Sequence, residues 1–441
     1  MIDIHLLRED PERFRKAFIA RGMDGSVLQN FLDLDSQWRD KLKEINDNKH
    51  QKNKISLEIS SFMKKGQDAE DLKARVKVLN QAIGILEAQM ADIEKQRDSV
   101  LATMPNLLHE SVPVCKGDEN NQFHKFWGKA RVFKDDVDEF TNSTNGTGKY
   151  DLLMERPVSH VDILAKMDLA DLDRASKISG SRFYYLKNRL VKLELALVNY
   201  AVDLLSEKGF NIVEPPFMMN MAAMSGATDI ETFKDTLYKM EGEDLYLIST
   251  SEHPIAAMYM GEIFDEEALP IRVAGVSSCF RREAGAHGKD SKGIFRVHQF
   301  TKVEQFIFCH PDQSWDFHEE LLNNSESIFR SLNIPYRVVN VCSGELGNLA
   351  AKKYDIEAWF PSQGKFREVV SASNDTDYQA RSLGIRFRTK DGNKFLHTLN
   401  STAIATTRTM VAIIENFQED DGKTIRIPEA LIPYTGFDTI S

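Results

Sequence analysis

The chain has 441 residues, 42% of them hydrophobic and 28% charged, with a formal net charge of −11. That length exceeds what one hydrophobic core organises and predicts two or three domains, while the composition excludes a mostly disordered polymer. No run approaches the roughly 18 uncharged apolar residues of a membrane span, so no membrane association is expected. The acidic start (Asp3, then Glu9 and Asp10) does not read as a signal peptide. Cys115, Cys279, Cys309 and Cys342 are widely spaced, with no Cys-x-x-Cys pair, which predicts reduced thiols and a cytoplasmic protein.

The first predicted element is a helical hairpin. From Leu72 the apolar positions step by four and three through Val76, Leu79, Ile83, Leu86, Met90 and Ile93, then reach Arg97 and Val100. This is the a/d seam of a coiled coil, held over about four heptads. Upstream, Trp38, Leu42 and Ile45 start a similar stripe, and Ile55, Ile59 and Phe62 resume it. Lys64-Lys65-Gly66-Gln67-Asp68 breaks the pattern, and Gly66 suits a chain reversal. So short a turn makes the helices antiparallel, in an arm roughly 50 Å long. Residues 36–100 hold 13 Lys/Arg against 11 Asp/Glu, so one part of an acidic chain is locally basic. A solvated helix face explains lysines on a rod, but residues 46–54 carry no apolar residue at all. A rod that widens its polar face and adds cations suits a phosphate backbone.

After Met104 the texture changes. Pro105, Pro113, Gly117 and the run Asn142–Gly148 predict a linker over 109–150. From about 151 to 441, helical stretches mix with short β-rich runs such as Leu245–Ile248, Phe306–Phe308 and Tyr336–Val341. The irregular order predicts an α+β domain on an antiparallel sheet, preceded by the hairpin within residues 1–108 (about 30–102). No Walker loop and no dinucleotide fingerprint is present.

Two segments carry the chemistry. Ser278–Gly288 and Phe295–Glu304 read as two strands flanking a Gly-containing loop, with Arg281, Arg282 and Glu283 at the loop edge. Guanidinium forks held rigidly on strands suit an anion, although cross-strand ion pairs explain an isolated Arg-Arg-Glu equally well. Near the C-terminus, Leu399–Asn416 runs from small hydroxyl-bearing residues into an apolar helix, placing Arg408 near the helix start.

These pieces resemble motifs 2 and 3 of class II aminoacyl-tRNA synthetases, with Gly209–Pro216 resembling motif 1. Within that class the chain is similar, over essentially its whole length, to seryl-tRNA synthetases of the bacterial/standard type. Pro105–His109, Ser179–Leu186, Thr250–Pro254, Phe280–Gly285, Arg296–Phe300 and Glu368–Asn374 carry the likeness. The resemblance implies ligation of L-serine to serine tRNA with ATP, through a seryl-adenylate. It leaves open whether selenocysteine tRNA is also serylated. Arg281 would hold the α-phosphate and the serine carboxylate, and Arg408 the γ-phosphate, with Glu304 as the third residue of the catalytic set. Arg282, Glu283, Val297, Phe300, Val369 and Val370 would complete the ATP site, Phe300 stacking on adenine. Glu368 and Ser371 match the family's Mg²⁺ position; no zinc is expected. Thr250, Ser251, Glu252, Glu304, Asn400 and Thr402 would bind serine. The arm would grip tRNA through Lys41, Lys49, Lys52, Lys54, Lys64 and Lys65, acting across a homodimer whose interface falls around residues 187–216.

The chain departs from the family pattern at Ala403, Ala405 and Thr407, where motif 3 commonly has glycines, and over residues 217–232. Two alternatives keep parts of this reading: a paralogue that loads a carrier protein, and a coiled-coil scaffold with a degenerate synthetase domain. The basic arm argues against the first. The retained Arg281, Glu283, Glu304, Glu368 and Arg408 argue against the second.

Overall fold

The stepped apolar pattern builds two long helices, and a computed structural model describes them within residues 1–230, 234–283 and 292–441. Ala284–Gly288 of the motif 2 loop, and Glu231 and Thr232 of the divergent 217–232 stretch, lie outside the described residues. The chain divides into two compact units, Met1–Pro105 and Asn106–Ser441.

In the first unit, α1 (Ile4–Glu9) is capped by the Asp3 carboxylate, and α2 (Pro11–Ala20) starts with a proline whose missing N–H costs nothing at that position. α3 (Ser26–Lys64, 39 residues) and α4 (Glu70–Ala102, 33 residues) form the hairpin. The reversal falls where expected, with Gly66 in the left-handed region at φ 67°. The seam is more continuous than its apolar residues suggest. Between Ile45 and Ile55, Asn48 and Lys52 keep the step of three and four and are half-buried, while Lys49 reaches Glu87 of α4 at 2.8 Å. Residues 46–54 are therefore uninterrupted helix, and part of their polarity serves the hairpin itself. Arg97 also sits in the seam, buried and stacked 4.7 Å over the Trp38 ring. It faces Asp35, a fully buried carboxylate that Arg8 grips with two bonds of 2.6 and 2.8 Å. Burial alone would raise the Asp35 carboxyl, but Arg8, Arg39 and Arg97 outweigh it and hold it below the usual range.

The second unit is organised by an eight-stranded sheet. Its strands are β1 (Gln122–Trp127), β2 (Asn211–Val213), β3 (Ile271–Phe280), β4 (Gln299–Cys309), β5 (Tyr336–Asn340), β6 (Lys352–Phe360), β7 (Lys365–Thr376) and β8 (His397–Ala405). The order is β1-β5-β6-β7-β8-β4-β3-β2, antiparallel except for the β2/β3 pair. Alternation along β4 divides the faces. Val303, Ile307 and Cys309 enter a core shared with α5 (Arg189–Glu207), α7 (Ser314–Ser331) and α8 (Thr406–Asn416). Phe306 and Phe308 point the other way, into a second cluster with Ile255 of α6 (Glu252–Ala257).

The stretch expected as a linker is not plain coil. β1 pairs with β5 at the sheet edge, and Lys129–Phe133 lies parallel to Lys149–Leu153. Short strands set among Asn, Gly and Asp hide from a reading based on turn residues. Cysteine usage also differs from expectation. Cys115 and Cys342 are bonded, with Cα atoms 5.4 Å apart, because Ser343 and Gly344 donate to the Pro113 and Cys115 carbonyls and draw the two segments together. Cys279 and Cys309 are free and buried.

Candidate active site

The second-unit sheet opens on one face into a cavity of about 450 Å³. Most of the expected site residues line it: Thr250, Glu252, Arg281, Glu283, Val297, Phe300, Glu304, Glu368, Val369, Ser371, Asn400, Thr402 and Arg408. Phe300 and Glu304 of β4, Glu368, Val369 and Ser371 of β7, and Asn400 and Thr402 of β8 stand on neighbouring strands, while the others come from the segments flanking β3 and β4 and from the starts of α6 and α8, so residues more than a hundred positions apart in sequence meet.

One end of the cavity is basic. Arg281 leaves the end of β3 with its main chain tied to the His298 carbonyl at 2.8 Å, and its guanidinium lies 5.2 Å over the Phe300 ring. Arg408 stands in the first turn of α8, 5.3 Å over Phe295, and donates to Glu368 Oε1 at 3.2 Å. Lys353 and Arg296 add two more cations, Arg296 in contact with Glu283. Burial would raise the Glu368 carboxyl, but Arg408, Lys353 and Arg281 hold it below its ordinary range. Such a set, with guanidinium forks braced on aromatic rings, is built for a polyanion.

The other end is acidic. Glu304 is ion-paired with Lys302 on its own strand and accepts from Thr402 Oγ1 at 3.2 Å. Glu252 accepts from Gln379 Nε2 at 3.0 Å. Burial and the charge of Glu304 push the Glu252 carboxyl up to about 7. Burial, with Lys302 and Arg281 nearby, drives the His253 imidazole down to about 3, so it stays neutral. Buried acceptors, with carboxyls beyond the Lys302–Glu304 pair, suit an amino acid carrying an ammonium and a short polar side chain.

Three expected residues fall elsewhere. Ser251 is fully buried, its hydroxyl bonded to the Gly275 carbonyl at 3.2 Å, so it braces the loop against β3. Val370 points into the helix-covered core, because a bulge beside it gives Val369 the cavity face. Arg282 is exposed and is not among the cavity-lining residues; its main chain donates to the Thr236 carbonyl at 2.9 Å. Conversely, Lys302, Phe295, Arg296, Lys353, Ser373 and Asp375 line the cavity without having been singled out. Strand alternation is the signal that could have found several of them, since Lys302 lies two residues from Glu304, and Ser373 and Asp375 continue the face of Ser371.

Comparison with known proteins decides the family. Residues 1–108 match the seryl-tRNA synthetase N-terminal domain, and residues 233–417 match the class II tRNA synthetase core domain (G, H, P, S and T). A serine–tRNA ligase of Picrophilus torridus is 63% identical over all of this chain and 99% of its own length. The chain belongs to the seryl-tRNA synthetases. As in that family, it is an enzyme, a serine–tRNA ligase with a class II core. A Thermoplasma volcanium ligase is 61% identical over the same spans. The crystal structure of the Pyrococcus horikoshii enzyme with ATP superposes with a TM-score of 0.96, at 52% identity over 100% of this chain and 99% of that one. These relatives are archaeal, so the bacterial qualifier attached to the resemblance finds no support.

Proposed function

We propose that the cavity activates L-serine with ATP and that the acyl group then passes to serine tRNA. In the first step a serine carboxylate oxygen attacks the α-phosphorus, forming seryl-adenylate and releasing pyrophosphate. In the second, a terminal ribose hydroxyl of the tRNA attacks the acyl carbon and AMP leaves. Two anions meet in the first step, so the catalytic task is positioning and charge neutralisation. Arg281 would bridge the serine carboxylate and the α-phosphate, and Arg408 would hold the γ-phosphate. Phe300 would stack on adenine, with Glu283 and the Val297 backbone at its edge. Glu252 and Thr250 would receive the ammonium; Glu304, Thr402 and Asn400 would test for the hydroxyl. The observation that carries this reading is the convergence of Arg281, Arg408, Glu252 and Glu304 on one cavity.

Glu368 and Ser371 fit Mg²⁺. Both line the cavity and offer hard oxygens, beside the cations Arg408 and Lys353 that would meet the same phosphates. When bound, Mg²⁺ would neutralise phosphate charge. Exposed lysines of the arm (Lys49, Lys54, Lys64 and Lys65), with the half-buried Lys41 and Lys52, would follow the tRNA backbone, reading shape more than sequence. The family likeness further supports a homodimer, with tRNA bound across subunits and residues 187–216 at the interface, acting in the cytoplasm where tRNA is charged.

ATP–pyrophosphate exchange screened over all amino acids tests the reading, with exchange expected for serine. Exchange with another amino acid alone, or with none, contradicts it. Charging of serine tRNA, and separately of selenocysteine tRNA, tests the acceptor.

A further inference from the structure

The amino-acid end of the cavity carries one carboxyl to which the proposed reading gives no role. Glu252, Glu304 and Asp375 line it, facing the cations Lys302 and Arg281. Lys302 pairs with Glu304, and Arg281 on the proposed reading holds the substrate carboxylate. The substrate ammonium balances Glu252. Asp375 remains.

Asp375 shares the cavity face of Ser371 and Ser373 and sits at a break in the ladder. Along β7 and β8, Asn374 faces Leu399 and Thr376 faces Thr398, so Asp375 is an extra residue with no opposite number. Bulges of this kind re-aim a side chain and recur beside active sites. Asn106 pins this one. Its Nδ2 donates to the Asp375 carbonyl at 2.7 Å, to Thr376 Oγ1 at 2.9 Å and to the Leu349 carbonyl at 2.8 Å. Thr376 itself sits at φ 49°, a conformation that costs energy in a β-branched residue. So much structure around one residue argues against an accidental placement.

The residue is only 2% exposed, and its Oδ2 accepts from Asn400 Nδ2 at 3.2 Å. β8 thus presents two polar pairs to the cavity from alternate positions, Thr402 with Glu304 and Asn400 with Asp375. We propose that Asp375 is a further specificity-determining residue of the amino-acid pocket, binding the hydroxyl of the small substrate alongside Asn400. The inference rests on the serine-activating reading. Burial and the charge of Glu252 hold the Asp375 carboxyl well above the usual carboxylate range. A carboxyl held up in this way takes a proton more readily, and in that form it can both donate to and accept from a hydroxyl. Alanine or glycine leaves it unpaired in a buried site, which is how a pocket rejects an analogue lacking the group.

The test is pyrophosphate exchange by the full-length protein with serine, alanine and glycine, comparing wild type, Asp375→Asn and Asp375→Ala. Asparagine keeps an uncharged polar group of the same shape, so Asp375→Asn should hold the serine KM within about threefold of wild type. Asp375→Ala should raise the serine KM about tenfold or more, leave the ATP KM within about twofold, and narrow the serine-over-alanine ratio about tenfold. Asp375→Val, which keeps most of the volume without a polar atom, gives the same readout should the alanine variant not fold. A folded Ala or Val variant with wild-type serine KM and wild-type discrimination overturns the proposal while leaving serine activation standing. Wild type that exchanges with no serine sinks the underlying reading and this inference together.

Discussion

The hairpin of α3 and α4 buries a single seam and leaves most of its surface in water, whereas β3, β4, β7 and β8 are covered on both faces. The consequences for polar residues are opposite. On the arm a lysine meets solvent at little cost, so its charge is free to serve long-range attraction to an anion, and an ion pair such as Lys49–Glu87 contributes little. In the sheet a polar side chain that is buried has lost its water and needs a partner. Lys302 pairs with Glu304, Thr402 donates to Glu304 and Asn400 to Asp375, and on the proposed reading substrate groups would join that set. On the proposed reading, binding on the arm would be diffuse and tolerant, and recognition in the cavity local and severe.

The sharpest way to break this contrast is Arg281→Ala. Removing a guanidinium aimed at developing charge should cut serine-dependent pyrophosphate exchange by about 10²- to 10³-fold. Lys54, Lys64 and Lys65 changed together to alanine should leave exchange unchanged and weaken tRNA charging. Next comes Glu304→Ala, which strands the buried Lys302 ammonium. It should destabilise the sheet unit by about 3–5 kcal/mol in urea unfolding, whereas Lys49→Ala should cost under about 1 kcal/mol. Equal losses from the two variants would erase the distinction.

The pH dependence of serine binding follows from Glu252. Its carboxyl is raised to about 7, so it is mostly protonated below that pH and ionised above it. An ammonium is held by the ionised form, so the serine KM should fall about tenfold between pH 6 and pH 8, the fraction ionised rising from about a tenth to about nine tenths. A flat profile contradicts the assignment of Glu252 to the ammonium. The smallest expected effect is on the arm: Ile83→Val removes one methylene from a buried seam position and should cost about 1 kcal/mol in thermal unfolding, with exchange untouched.

The arm was the most legible part of the sequence, because a helical stripe is a local, periodic signal. Even there Arg97 disguised itself. It reads as the end of the apolar seam, yet it is buried in place by Asp35 and Trp38, more than fifty residues earlier in the chain. β1 went unread because its partner β5 lies about two hundred residues further on, and pairing over that distance leaves no local trace. In the cavity, Arg281, Arg408, Glu252 and Glu304 were legible through motif order. Lys302 and Asp375 lie outside those motifs, and only strand alternation from Glu304 and Ser371 points to their place on the cavity face. Val370 was misplaced for the converse reason: the bulge beside it decides which of two neighbouring valines faces the ligand.

The division of labour between the two regions is tested most directly by deleting residues 36–100 and measuring serine-dependent pyrophosphate exchange and tRNA charging on the same folded preparation. The account predicts exchange close to that of the full chain with charging abolished. Loss of both activities together, or charging that survives without the arm, would contradict it.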